Sequence, residues 1–162
     1  MANHVMFRSD AMAGTILGQY LASIRIGNDA IDNGMLVAVG ALEAGQREVK
    51  VIGDIAATTP VGNIAVLGSE EVIKSKNYNT VGEFTNEGKS IARGYILHDG
   101  GAYSVTAGAF DGGVVPTVGA KVYAKAGAHL HTTTAEGNVE IGSCEAIETD
   151  GATVWYVIRI VA

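Results

Sequence analysis

The chain has 162 residues, enough to bury a sizeable core within one domain. Seventeen acidic residues against eleven basic ones leave a net charge of −6, which argues against nucleic acid as a partner, because phosphate binding calls for a basic face. Cys144 is the sole cysteine, which excludes an intrachain disulfide and a cysteine-rich zinc site.

Residues 1–18 carry Met6, Phe7, Met12, Ile16 and Leu17 at no regular period, and the segment is expected to be an extended N-terminal arm. Residues 19–162 then read as a single β-rich domain. In GQYLASIRIG (18–27), Tyr20, Ala22, Ile24 and Ile26 alternate with Leu21, Ser23 and Arg25, the period of a strand. MLVAVGAL (35–42) reads as a buried strand, and EVKVIGDI (48–55) and NIAVLGS (63–69) as two more. Residues 70–88 are the least strand-like. SEEVIKSKN (69–77), with Ser69 as cap, is the one place where a short helix is expected.

SIARGYILHDGG (90–101) and AYSVTAGAF (102–110) are expected to form a hairpin across Asp99-Gly100-Gly101. AKVYAKAG (120–127), LHTTT (130–134), VEIGSCEAIET (139–149) and TVWYVIRIV (153–161) complete the set. The 22 glycines, only two prolines and turn signals every ~8–12 residues point to an all-β fold, a compact barrel or sandwich of short strands. GMLVAV (34–39) faintly echoes GAKVYA (119–124). The start of the chain lacks the basic run and apolar stretch of a signal peptide, and GMLVAVGAL (34–42) is too short to span a bilayer, so no membrane partner is expected.

Several groups of residues bear on chemistry or contact. His129 and His131 are two apart, so a strand would turn both imidazoles to one face, where Glu136 would add an oxygen ligand for a divalent metal. The competing reading is a solvent-facing strand followed by the AEGN turn. Cys144 lies among apolar neighbours in EIGSCEAI and reads as a small hydrophobe more readily than as a nucleophile served by a histidine. Glu70 with Glu71, and Glu145 with Glu148, read as surface charge, because a glycosidase pair needs a cleft lined by aromatics. Asp99-Gly100-Gly101 and Asp111-Gly112-Gly113 read as turns, since calcium-loop oxygens at alternate positions are absent. Trp155 and Tyr156 are adjacent, so they face opposite sides of one strand, one toward the core and one toward an outer face.

Two family resemblances follow from these residues. His129-x-His131-x4-Glu136 resembles the first metal motif of the cupin barrels. The pattern departs from that family at Tyr123, where a glycine is usual, and at Gly142, which lies six rather than seven positions past Glu136. No histidine follows His131 and no proline follows Pro116, so the family's second motif is missing. The run NYNTVGEFTNEGKSIARGYILHDGGAYSVT (77–106) resembles head decoration, head fibre and minor capsid proteins of tailed bacteriophages. The matching residues are Glu83, Phe84, Thr85, Asn86, Gly88, Ala92, Arg93, Gly94, Tyr95, Leu97, Gly100, Tyr103, Ser104, Val105 and Thr106. Val118-Gly119-Ala120-Lys121-Val122 then follows as the next strand, and Gly101 replaces the usual acidic residue.

The bacteriophage resemblance implies a structural virion protein without catalysis or cofactor. It implies synthesis in the host cytoplasm, a place on the capsid surface, and the major capsid protein as partner. It also implies a homo-oligomer, with a trimer suited to threefold capsid sites. Met6, Phe7, Arg8 and Tyr20 are the expected contact residues, with residues 70–90 second. The alternative is a cupin-like metal-binding barrel using His129, His131 and Glu136. A carbohydrate-binding module is a third reading, weakened by the scarcity of aromatics.

Overall fold

The computed structural model describes residues 4–71, 81–134 and 138–161. The chain is all-β, and the helical pieces among the described residues are three-residue 3-10 turns. The short helix expected near residues 69–77 falls largely outside the described residues. No helix among them is long and apolar enough to cross a membrane.

The strands, in chain order, are β1 (Phe7–Arg8), β2 (Leu21–Arg25), β3 (Leu36–Leu42), β4 (Val49–Gly53), β5 (Ile64–Leu67) and β6 (Ile91–Ile96), then β7 (Ala102–Val105), β8 (Lys121–Ala124), β9 (Leu130–His131), β10 (Val139–Asp150) and β11 (Thr153–Ile160). They divide into two units. β2, β4, β3, β5 and β6 close a five-stranded barrel, and β1-β7-β11-β10-β8-β9 form an open sheet. The barrel closes through a parallel pairing of β2 with β4, with Ile24 opposite Lys50, and an antiparallel one of β2 with β6.

The apolar runs of β3 and β5 set the architecture. Val37, Ala65 and Leu67 point into the barrel and pack with Ile24, Ile26 and Ala92. Leu36, Ala38, Ile64 and Val66 point out and pack with the sheet residues Tyr103, Val105, Ile141, Ile158 and Ile160. All four residues of β5 are buried. Such a strand has no solvated face, and its sequence is a continuous apolar run rather than an alternation.

The expected hairpin between residues 90–101 and 102–110 is not formed. Both edges of β6 are occupied inside the closed barrel, by β2 and β5, so β7 has no edge of β6 to join. The turn itself is real: Gly100 adopts φ 78°, and Gly101 donates its N–H to His98 O at 3.0 Å. Its effect is to carry the chain out of the barrel and into the sheet, where β7 lies between β1 and β11.

The N-terminal stretch lies on the body: β1 is extended, and a 3-10 turn at Ala13–Thr15 follows it. Val5 and Met12 are buried in the core shared by barrel and sheet. The turn at Gly18–Tyr20 leads straight into β2. Phe7 sits across from Val105 in the sheet, over Gly68 of the barrel, where any Cβ would collide with its ring.

A buried amide clamp joins the barrel loops. Asn86, 4 % exposed, donates to Ile31 O at 2.9 Å and to Asn33 Oδ1 at 3.1 Å. Asn33 in turn donates to Ser69 O and accepts from Ser69 N–H. Ile31 and Asn86 also exchange backbone hydrogen bonds. These bonds satisfy amides that would otherwise be costly to bury.

Two predictions follow from this packing. Asn86→Ala removes the two buried hydrogen bonds that its side chain donates and lowers stability by about 2 kcal/mol, read as a fall in the urea midpoint. Gly142 lies between β11 and β8 at a bulge, and a Cβ there would collide with the Arg159 carbonyl oxygen. Gly142→Ala is therefore expected to cost about 3 kcal/mol, the upper end of the overpacking range, with the same urea assay as the check.

Candidate functional site

The sheet holds the residues expected to make contacts. Met6 anchors the start of β1: its N–H donates to Thr106 Oγ1 at 3.1 Å, and its carbonyl accepts from Thr106 N–H at 3.2 Å. Phe7 spends its ring inside the chain, 5.7 Å from Tyr95 and 6.1 Å from Tyr103 between centroids. Arg8 turns to the opposite face of the sheet. Its guanidinium lies 4.5 Å above the Trp155 ring and donates to Glu148 Oε2 at 2.7 Å. Asp10 accepts a short hydrogen bond from Ser104 and stands 3.7 Å from Arg8 Nε. Tyr20 is not part of this group. Its ring packs edge-on against His98 at 4.6 Å.

The outward-facing apolar groups of the N-terminal stretch are Ile16 and Leu17, beyond the expected contact residues, and Ile16 is 85 % exposed. The part of the second expected contact region at 72–80 lies outside the described residues. At its flank, Glu70 pairs with Arg93 at 3.2 Å. Burial raises the Glu71 carboxyl above its ordinary range, opposed by a hydrogen bond with Asn33.

Arg8 sits beside a projecting ribbon. β10 pairs with β8 through residues 139–143, and β11 pairs with β7 from Tyr156 onward. Beyond those points Ala146–Asp150 and Thr153–Trp155 pair with each other alone among the strands. The register sets Ile147 opposite Tyr156 and Thr149 opposite Val154. Ile147, Thr149, Val154 and Tyr156 therefore share one face, which is core at Tyr156 and solvent at Ile147 and Val154. Trp155 takes the other face, under Arg8. Tyr156 meets Phe110 at 5.4 Å in the core, so the two adjacent aromatics divide as their spacing requires.

The two histidines have separate partners. His129 Nδ1 donates to Gly127 O at 3.0 Å, and His131 Nδ1 lies 3.7 Å from Asp111 Oδ2. Burial lowers the His131 pKa, against the attraction of Asp111 and with the repulsion of Lys125 and His129. Glu136, the third residue of the motif, lies outside the described residues. Among the described residues, no group of three or more His, Cys, Asp or Glu is placed to hold a metal.

Cys144 is fully buried, and its thiol donates to Ala146 O at 3.5 Å. Burial pushes the thiol pKa up, away from a reactive thiolate. Glu145 pairs with Arg159 and Glu148 with Arg8, so each carboxylate is matched by a guanidinium.

Sequence reasoning missed two pairings. His4 Nδ1 meets Asp32 Oδ1 at 2.8 Å, and Val5 N–H donates to Asp32 Oδ2 at 3.0 Å. No local spacing links residues 4 and 32. The Arg8–Trp155 stack likewise joins the two ends of the chain, and only the neighbouring positions of β1, β7 and β11 bring them together.

These features define an all-β protein of two units, a closed barrel and a sheet with a projecting ribbon. Comparison of the chain with protein-family models, curated proteins and solved structures finds no match.

Trp155 is the sole tryptophan, so its fluorescence reports directly on the Arg8 stack. Arg8→Ala is expected to shift its emission to the red and raise acrylamide quenching, with a stability loss of about 1 kcal/mol. Arg8→Lys keeps the charge without the planar stack and falls between the two. An unchanged spectrum in Arg8→Ala would contradict the geometry.

Proposed function

We propose that this chain is a structural subunit of a tailed-bacteriophage virion, one that self-associates and binds the capsid shell rather than catalysing a reaction. The resemblance of residues 77–106 to phage head proteins is one support. Asn86, Tyr95, Tyr103 and Val105 of that run lie in or beside the packed core, and Asn86 carries the clamp between loops. The run thus holds a body together, which is what a shared local pattern among structural proteins would preserve.

The observation that carries the reading is the β10–β11 ribbon. An isolated two-stranded ribbon gains little stability alone, yet this one extends beyond its neighbours with Ile147 43 % and Val154 38 % exposed. Contiguous apolar side chains on a projecting element suit contact with another subunit. Covered by a neighbour, they would stabilise the assembly by apolar burial, at ~25 cal/mol per Å² removed from water. The proposed partners are further copies of the chain, in a closed ring such as a trimer, and the major capsid protein.

Phe7 is committed to Tyr95 and Tyr103, so the capsid-facing part of the N-terminal region is assigned to Ile16 and Leu17. Light scattering of the purified protein is expected to give a discrete oligomer that co-sediments with expanded phage heads. Ile147→Asp with Val154→Asp should shift the mass toward the monomer while the circular dichroism stays that of a folded β protein. Ile16→Asp should weaken co-sedimentation at unchanged native mass. A monomer indifferent to heads would overturn the reading.

A further inference from the structure

We infer that the cavity between the barrel and the turn joining β8 to β9 is a binding site for a primary alkylammonium group, carried by a free aliphatic amine or by a lysine side chain. The cavity has a volume of about 550 Å³, within the range of small-molecule sites. Its apolar lining comes from Ile31, Met35 and Val37 around the start of β3, and from Ile52 and Ile55 around the end of β4. Its charged and imidazole lining is His4, Asp32, Asp54, Lys125 and His129, with the hydroxyl residue Thr85 beside them.

The turn over the cavity is built and held. Leu36 N–H donates to Ala128 O at 2.8 Å, which ties residue 128 to β3. Ala128 takes φ 69°, a conformation that a residue with a Cβ rarely adopts. The neighbouring His129 ring is fixed by its own turn, because Nδ1 faces the Gly127 carbonyl. A carbonyl oxygen only accepts, so Nδ1 carries the proton and Nε2 keeps the lone pair in the uncharged ring. The same argument applies to His4, whose Nδ1 donates to the Asp32 carboxylate. With both rings uncharged, each imidazole lining the cavity has Nε2 as an acceptor.

The charges favour the same class of ligand. Two carboxylates, Asp32 and Asp54, line the cavity against one ammonium, Lys125. Asp32 is already engaged by His4 and Val5, whereas Asp54 is exposed and has no ion-pair partner among the described residues. An ammonium brings three donors and no acceptor. It matches the Asp54 carboxylate and the Nε2 atoms of uncharged imidazoles, while its alkyl chain lies on the isoleucine, methionine and valine wall. A carboxylate ligand would find one ammonium, Lys125, and would face the Asp32 and Asp54 carboxylates.

The test uses the full chain and titrates hexylamine, hexanoate and hexanol, following cavity amides by NMR. Hexylamine is expected to bind in the millimolar range and shift the amides of Ile52–Ile55 and Lys125–His129. Asp54→Asn is expected to weaken it about tenfold, and Lys125→Met to tighten it a fewfold, since a repelling cation is removed. Nα-acetyl-lysine methylamide serves as a second probe. If it binds more tightly than hexylamine, the natural ligand is a protein lysine; if less tightly, a free amine; either supports the site. Equal binding of hexanoate or hexanol, hexylamine binding indifferent to Asp54→Asn, or no shift with any probe would overturn the inference. Asp54 is exposed, so its substitution leaves the core packing untouched.

Discussion

The structure depends on a wall buried on both faces, made of β5 and the first half of β3. β3 and β5 present Val37, Ala65 and Leu67 to the barrel interior and Leu36, Ala38, Ile64 and Val66 to the sheet. One pair of strands thus supplies parts of two cores. Burying both faces removes more apolar area per residue than an amphipathic strand can, at ~25 cal/mol per Å². It also makes the two units mutually dependent. The sheet closes its own core by packing on the outside of the barrel, with Tyr103, Val105, Ile158 and Ile160 seated on that wall.

That wall decides the path of the chain. A closed five-stranded barrel offers no free edge for a further strand. After β6 the chain must leave, and it does so through the turn at His98–Gly101. β1 then caps the far edge of the sheet at β7, and its two residues face opposite ways. Phe7 fills the seam between barrel and sheet beside Tyr95 and Tyr103, while Arg8 covers Trp155 on the outer face. A two-residue strand therefore braces both the shared core and the root of the β10–β11 ribbon.

The proposed roles occupy different parts of this frame. The ribbon and the Ile16–Leu17 stretch point away from the shared core and carry exposed apolar groups. The cavity lies where the barrel meets the turn before β9, and its histidines are oriented by Asp32 and by the chain's own carbonyl. Rigid strands hold the lining on one side and a backbone-tied turn on the other. An assembly role and a small binding pocket are compatible on one chain, because they draw on separate surfaces.

Much of the strand content was readable from local pattern. Alternation marked β2, continuous apolar runs marked β3 and β5, and glycine-rich turns marked the ends, because side-chain period and turn chemistry act over a few residues. The class of fold followed from those signals. Strand partners did not. The turn Asp99-Gly100-Gly101 has the composition of a hairpin, yet β6 was already saturated by β2 and β5, a fact that resides in barrel closure rather than in the turn. The arm was read as extended; its seat on the body came from Gly68, Tyr95 and Tyr103, far along the chain. His4 with Asp32 and Arg8 with Trp155 were invisible for the same reason. The sequence by itself determined which residues form strands and which must be buried, since those depend on neighbours in the chain. Only the tertiary structure decided which strands pair, what the N-terminus covers and which polar groups share a cavity, because those contacts join residues whose separation along the chain carries no information about their distance in space.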